Sequence, residues 1–422
     1  MNAPDDPTGQ VAAIGGKPAV AAAPRRAAVV FIFFTVMLDI LALGVIIPVL
    51  PKLVESFLGG DTAQAARVLG LFGTAWALMQ FLCSPVQGAL SDRFGRRPVV
   101  LASNFGLGLD YLVMALAPNL IWLFVGRLIS GMTAASFSVA GAYIADVTPP
   151  DKRAAGFGII GAAFGIGFVI GPALGGLLGS VDPRLPFWGA AALSLANAAY
   201  GLFVLPESLP RERRATLAWR RANPVGSLVL LRSHPQLLGL AGVHFLYQLA
   251  HHSLPAVFVL YAGYRYGWGE RTVGLTLAGV GVCAMIVQGL LVKPVVAKFG
   301  ERRSLLLGLL CGAVGFAIYG LAATGPVFWI GVPVMAIWGL TGPALQGLMT
   351  RRVEPTEQGR LQGALSSIMG IAGLIGPGLF TQTFARSIGP ASEWHLPGAP
   401  YLLAALLLLM GMLVARRVTR PR

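Results

Sequence analysis

Apolar residues in this chain run in blocks of about 20, long enough for a helix to cross the roughly 30 Å hydrocarbon core of a bilayer. Short stretches rich in charge, Pro or Gly separate the blocks. Twelve blocks stand out, near 27–50, 67–90, 98–117, 119–144, 154–179 and 186–205, then 236–262, 272–297, 304–323, 325–349, 359–386 and 399–415. The first is too long for a signal-peptide core and lacks a clear cleavage site, so it is read as a span. The pattern also repeats. Phe94-Gly95 matches Phe299-Gly300, Pro150 matches Pro355, and Gly171-Pro172 matches Gly376-Pro377, each displaced by 205 residues. Six spans per half bring the second half into the membrane from the same side as the first, a parallel repeat of the kind that builds one large class of secondary transporters.

Composition agrees. The 422 residues are 55% hydrophobic and 12% charged, against roughly 25% charged in an ordinary soluble domain. The 55 Gly and 29 Pro suit close helix contact in a bilayer. A net charge of +15 would suit nucleic acid, but the basic residues sit in loops between spans, so no nucleic-acid role is expected. Of the 32 Lys and Arg, 25 fall on one face of the twelve-span arrangement and six on the other, with Arg127 inside a span. The positive-inside rule makes the basic face cytoplasmic. The expected organisation is a disordered cytoplasmic tail (1–26), a six-helix bundle (27–205), a cytoplasmic central loop (206–235), a second bundle (236–415) and a cytoplasmic tail (416–422). Cys83, Cys283 and Cys311 lie in apolar segments without metal-ligand or CxxC spacing and read as small buried residues.

Chemistry is expected where polarity interrupts the apolar blocks. An ionisable group at a helix centre in the bilayer costs about 2.5–3.5 kcal/mol on insertion scales, so its presence points to function. Asp39 in span 1, Asp110 in span 3 and Arg127 in span 4 are such groups. Helical spacing puts Thr35 with Asp39, Ser103 and Gly106 with Asp110, and Ser130, Gly131, Ala134 and Ser138 with Arg127. Three polar stripes predict a water-accessible cavity in the first half. There desolvation and a nearby cation act oppositely on a carboxyl's proton affinity, while Arg127 stays charged as counter-ion or sensor. A structural ion pair is the plainer alternative. No acidic residue lies inside a span of the second half, and span 7 offers His244, Gln248, His251 and His252 instead. Between spans 2 and 3 the stretch from Gly88 to Pro98 holds Asp92, Arg93, Gly95, Arg96 and Arg97, readable as a gating ion pair or as a simple positive-inside turn. In span 5, Gly167, Gly171 and Gly175 share a stripe with Pro172 among them, and Gly376-Pro377 in span 11 is the matching pivot.

Gly88 to Arg97 resembles the loop 2–3 motif of the major facilitator superfamily, and Gly167 to Gly176 its antiporter motif. Leu38-Asp39, Pro48 to Pro51, Ala77 to Cys83, Leu109-Asp110-Tyr111, Gly141 to Asp146, Pro343 to Gln346 and Gln358 to Gly363 are similar to the tetracycline/proton antiporters. This resemblance runs from about Thr35 to Pro377. It implies an all-α membrane protein with twelve transmembrane helices in two pseudo-symmetric bundles. It also implies proton coupling through Asp39, Asp110 and Arg127, a cytoplasmic gate from Gly88, Asp92, Arg93, Gly95, Arg96, Arg97 and Asp146, and a pivot at Gly167, Gly171, Pro172, Gly175, Gly376 and Pro377. The expected cavity wall is Gln80, Asn104, Ser138, Gln248, His251, His252 and Gln346. The second half departs from the pattern: Gly312 stands where those antiporters carry a span 9 aspartate, and Ala284 where they carry a span 8 histidine.

The expected function is export of a small amphipathic, tetracycline-type drug in exchange for protons, by a monomer in the bacterial inner membrane with both termini cytoplasmic. The partners are substrate, protons and lipid. No cofactor or protein-bound metal is expected, although a divalent metal would accompany a chelating substrate as cargo. Transport of another small organic solute is the alternative, and a non-transporting sensor a more distant one. No GxxxxGK[ST] loop marks a primary pump, and neither HExxH nor Gly-x-Ser-x-Gly marks a hydrolase.

Overall fold

A computed structural model describes residues 26–134, 136–149, 152–214, 228, 230–231, 235–354, 357–389 and 395–420. The expected N-terminal tail and most of the central loop lie outside these residues. The side chain of Ser138 also lies outside the described set.

Among the described residues, nine helical stretches are long and apolar enough to cross a membrane. One of them, Glu270–Leu321, turns back at Gly300 and counts as two crossings. Two crossings made of shorter helices complete the twelve. Span 1 is α1 (Arg26–Ile46) with α2 (Leu50–Phe57), and span 2 is α3 (Thr62–Phe94). Span 3 is α4 (Arg96–Leu116), and span 4 joins α5 (Leu120–Thr133) to α6 (Ser136–Val147). Spans 5 and 6 are α7 (Arg153–Gly179) and α8 (Leu185–Val204). In the second half, α9 (Pro235–His251) with α10 (Ser253–Tyr266) forms span 7, and α11 (Glu270–Ile286) begins span 8. A π-helical turn, Val287–Leu291, leads into α12 (Val292–Leu321), which carries the end of span 8 and all of span 9. Span 10 is α13 (Gly325–Ile337) with α14 (Thr341–Thr350), span 11 is α15 (Gln358–Ile388), and span 12 is α16 (Ala399–Val418). Span 2 starts five residues earlier than its hydropathy suggests, because Asp61 caps it by accepting from Gln64 N at 2.9 Å.

Spans 1, 4, 7 and 10 are the broken ones. The breaks at 47–49 and 252, and at 134 and 338–340, obey the same 205-residue shift as the sequence repeat. Prolines cause three of them: Pro48 and Pro51, Pro255, and Pro343 each remove a backbone donor and crowd the carbonyl four residues back. In span 4 there is no proline. There Thr133 bonds back to Ile129 O at 2.9 Å, a habit that bends helices, and carbonyls near the break are taken by side chains of neighbouring spans. Gln87 Nε2 donates to Met132 O and Ser103 Oγ to Thr133 O, as a membrane-buried backbone requires. Gly95 (φ 106°) and Gly300 (φ 77°), also 205 apart, adopt the left-handed geometry that lets spans 2 and 8 reverse.

The halves meet along two seams, span 2 against span 11 and span 5 against span 8. A methyl at Gly73 would come 2.8 Å from Pro377, at Gly176 2.9 Å from the Gly274 Cα and at Gly281 2.8 Å from Val169, and one at Gly370 would press on the Phe81 ring. Small residues thus let the backbones touch. Towards the basic face both seams part. Gly88 and Gly359 beyond the first seam, and Gly161 and Gly289 beyond the second, face open space. The molecule is closed at the face opposite the basic one, and its central space opens to the basic face.

Candidate functional site

The first half gathers its charge around span 3. Asp110 is fully buried, and Arg127 Nη2 lies 3.8 Å from its Oδ2. Ser130, one turn along α5 from Arg127, accepts from Arg127 Nη2 at 3.1 Å and from Trp76 Nε1 at 3.3 Å. Gly126 makes room for the carboxylate: a methyl there would stand 2.8 Å from Asp110 Oδ1. Asp39 is only partly buried and accepts from Asn197 Nδ2 at 2.9 Å, while the same amide donates to Thr35 O at 3.0 Å. One carboxylate is therefore sealed while the other retains exposure, in a single conformation.

Asn197 and Trp76 had no motif to mark them. Asn197 is a solitary amide in an Ala-rich span, and only a search for lone polar residues would have found it. Asn104, expected on the cavity wall, is 1% exposed and lies inside the bundle in this conformation, where neighbouring helices cover its face.

The second half answers with rings and amides. His252 sits at the span 7 break against Gly373 and Gly376 of span 11. His251 is exposed, with its ring 5.6 Å from that of Trp338 at the span 10 break. Trp338 in turn packs edge-on to Tyr247 at 5.2 Å and to Phe316 at 5.3 Å. Its indole occupies the position the missing span 9 aspartate would need: a methyl on Gly312 would come 2.6 Å from Trp338 Cδ1. Gln80 shares a helix face with Gly73 and Ala77, which meet span 11. Gln248 is half-buried one turn before His252, and Gln346 is exposed one turn beyond Gly342, which faces the Tyr247 hydroxyl.

At the basic face, Arg96 pairs with Asp92 at 2.6 Å and with Asp146 at 3.1 Å, and donates to Ser91 Oγ at 2.6 Å. Glu207, just past span 6, accepts from Arg96 N at 2.8 Å and pairs with Arg214 at 3.7 Å. Its carboxylate presses on Gly95, where no side chain would fit. Arg97 donates to Leu202 O, and Arg93 lies over the Phe94 ring at 5.2 Å. All these partners lie in the first half or in the stretch of the central loop that directly follows it, so the loop braces that half in this conformation rather than bridging to the other. The expected pivot residues lie where spans 5 and 11 touch their neighbours. A methyl on Gly167 would meet Met37 O at 2.9 Å and one on Gly171 would meet Leu41 O at 2.8 Å, while Gly175 abuts Val45. Pro172 lies against Gly44, Pro377 against Gly73 and Gly376 against His252. Among the described residues no cluster of three His, Cys, Asp or Glu could hold a metal ion.

Two six-span halves, a space between them open to one face, and buried charges beside it define a multi-pass transporter fold. The sequence profile of the Major Facilitator Superfamily matches residues 32–377, and the chain belongs to that superfamily. It is 38% identical over 393 residues to the class C tetracycline resistance protein of Escherichia coli, covering 92% of this chain and 96% of that protein. Identity to the class G protein of Vibrio anguillarum is 36% over 398 residues, covering 93% and 98%. A crystal structure of a human organic anion transporter superposes with a TM-score of 0.69 at 25% identity, covering 93% of this chain and 99% of that one.

Proposed function

We propose that this protein exports tetracycline-type drugs from the bacterial cytoplasm in exchange for protons, by alternating access across the inner membrane. The observation that carries the reading is the set Asp39, Asp110 and Arg127, embedded in a chain more than a third identical along nearly its whole length to proteins named for tetracycline resistance. Small molecule and proton are the partners. The chain works as a monomer, with the basic face and both termini cytoplasmic. A divalent metal enters only as cargo, chelated by substrate.

In the cytoplasm-open state Arg127 neutralises the sealed Asp110, and Asp39 faces the central space held by Asn197. Drug enters between the bundles, flanked by Gln80, Gln248, Gln346, His251 and His252. Rocking about the Gly167-to-Gly175 and Gly376-Pro377 contacts opens the periplasmic side. There drug leaves and a carboxylate takes up a proton, and the proton departs to the cytoplasm after return. The Asp92–Arg96–Asp146 brace, facing span 11 only when the cytoplasmic side closes, gates that step.

Everted vesicles test the reading: tetracycline should accumulate when an inward-acid gradient is applied and leak out when it is collapsed. No gradient-dependent accumulation would contradict it. Transport of a different organic solute is favoured by one observation, the indole of Trp338 where the relatives' span 9 carboxylate would stand. The same vesicles would then accumulate another drug and not tetracycline.

A further inference from the structure

We infer that His251 is a ring-stacking substrate contact of the C-terminal half, held in place by Trp338 seated in the gap left by Gly312, and that it takes planar fused-ring compounds carrying hydroxyl or keto groups. The inference rests on the export reading above and deepens it.

Trp338 lies at the break between α13 and α14, where the chain passes through a single 3-10 turn, Trp338–Leu340. It is 5% exposed. Span 9 backs it through Phe316 and Gly312, with a Gly312 methyl placed 2.8 Å from Trp338 Cγ as well as against Leu408. Tyr247 closes one edge. The remaining side is covered by His251, whose ring is inclined 37° to the indole at 5.6 Å. His251 is thus on the side away from span 9, and it is exposed while the indole behind it is not. Its chain neighbour His252 reaches Gly373 and Gly376, and a Gly373 methyl would also lie 3.8 Å from Ala77 of the first half. His251 therefore stands exposed beside the seam between the halves.

A neutral imidazole offers one donor, one acceptor and a flat π face. Stacking on a flat ring is worth about 0.5–1.5 kcal/mol beyond burial, or up to about tenfold in affinity. The neighbouring amides are neutral as well: Gln288 lies 3.7 Å from a methyl placed on Gly339, next to Trp338. A carboxylate at position 312 would attract cations. A glycine that admits the indole converts the same wall into an uncharged aromatic one. Trp338 acts as a positioning residue and does not itself touch substrate.

The test measures equilibrium binding and transport of two probes, tetracycline and the planar three-ring dye dihydroxyanthraquinone, which carries both hydroxyl and keto groups, by full-length protein in proteoliposomes. For wild type both should bind. His251→Ala should raise KM for both by about tenfold with maximal velocity within about twofold, while His251→Phe should keep the anthraquinone within about twofold. Trp338→Leu should reproduce His251→Ala, and Trp338→Phe should restore binding, a rescue that a purely structural role of a buried ring would not restrict to KM. Trp188→Leu, on an exposed face of span 6, should change nothing. Monodisperse elution of each variant guards against misfolding, and the Phe variants carry the test if the smaller replacements fail. If wild type binds dihydroxyanthraquinone but not tetracycline, with the same dependence on His251 and Trp338, the tetracycline reading falls and the ring contact stands. His251→Ala or Trp338→Leu binding both probes like wild type, or wild type binding neither, would overturn the inference.

Discussion

The two halves share a frame and divide the chemistry. Helix breaks, reversing glycines and seam prolines recur at a shift of 205 residues. Yet Asp39 maps onto His244, Asp110 onto Gly315 and Arg127 onto Val332. The bilayer explains why the frame persists, since spans of fixed length must satisfy their own backbone. It imposes nothing on cavity side chains, so one half keeps a buried ion pair and the other an aromatic and amide wall. At the basic face the relation is reversal rather than loss. Arg96–Asp146 at 3.1 Å corresponds under the shift to Glu301–Arg351 at 3.0 Å, the same pair with its charges exchanged. Geometry between spans 2–3 and span 4, or 8–9 and 10, is what the fold needs, and either polarity supplies it.

The largest effect expected from breaking this division comes at Arg127. Arg127→Leu strands Asp110, which is fully buried, and removing one member of a buried pair costs about 3–5 kcal/mol. Thermal unfolding in detergent should fall by many degrees, whereas Val332→Leu at the equivalent position should shift it little. Next come the reversed pairs. Glu301→Arg or Arg351→Glu alone should lower drug export about tenfold by placing like charges together, and the double exchange should recover most of it, a coupling readable as a double-mutant cycle. Gly126→Ala is intermediate: a methyl 2.8 Å from Asp110 Oδ1 should displace the carboxylate and slow proton-driven uptake severalfold. At the small end, Ala297→Lys, which gives the charge-reversed second half a counterpart of Asp92 one turn from Glu301, should change transport by less than about twofold, because exposed pairs contribute about 1 kcal/mol or less.

Much of the frame was legible in the residues. Hydropathy blocks located the twelve spans, since length and apolarity are set by the bilayer alone, and Gly-Pro landmarks exposed the repeat. Asp39, Asp110 and Arg127 announced themselves by their cost. The break in span 4 did not: it has no proline, and depends on Gln87 and Ser103 reaching it from other spans. Glu207 and Asn197 likewise become meaningful only when the chain returns to Gly95 and to Asp39. Trp338 reads in the sequence as one more aromatic packed against lipid or in the core, and only its contact with Gly312 shows what it fills. Residues whose role lies in one helix can be read locally, and those that fill a neighbour's gap cannot.

The central claim is that protons couple through the first half alone. It is tested most directly by measuring gradient-driven accumulation and drug–drug counterflow in proteoliposomes of Asp110→Asn, Asp39→Asn and His244→Asn. The account predicts that both aspartate variants lose accumulation while retaining counterflow, and that His244→Asn keeps both. Accumulation surviving in the aspartate variants, or vanishing in His244→Asn, would contradict it.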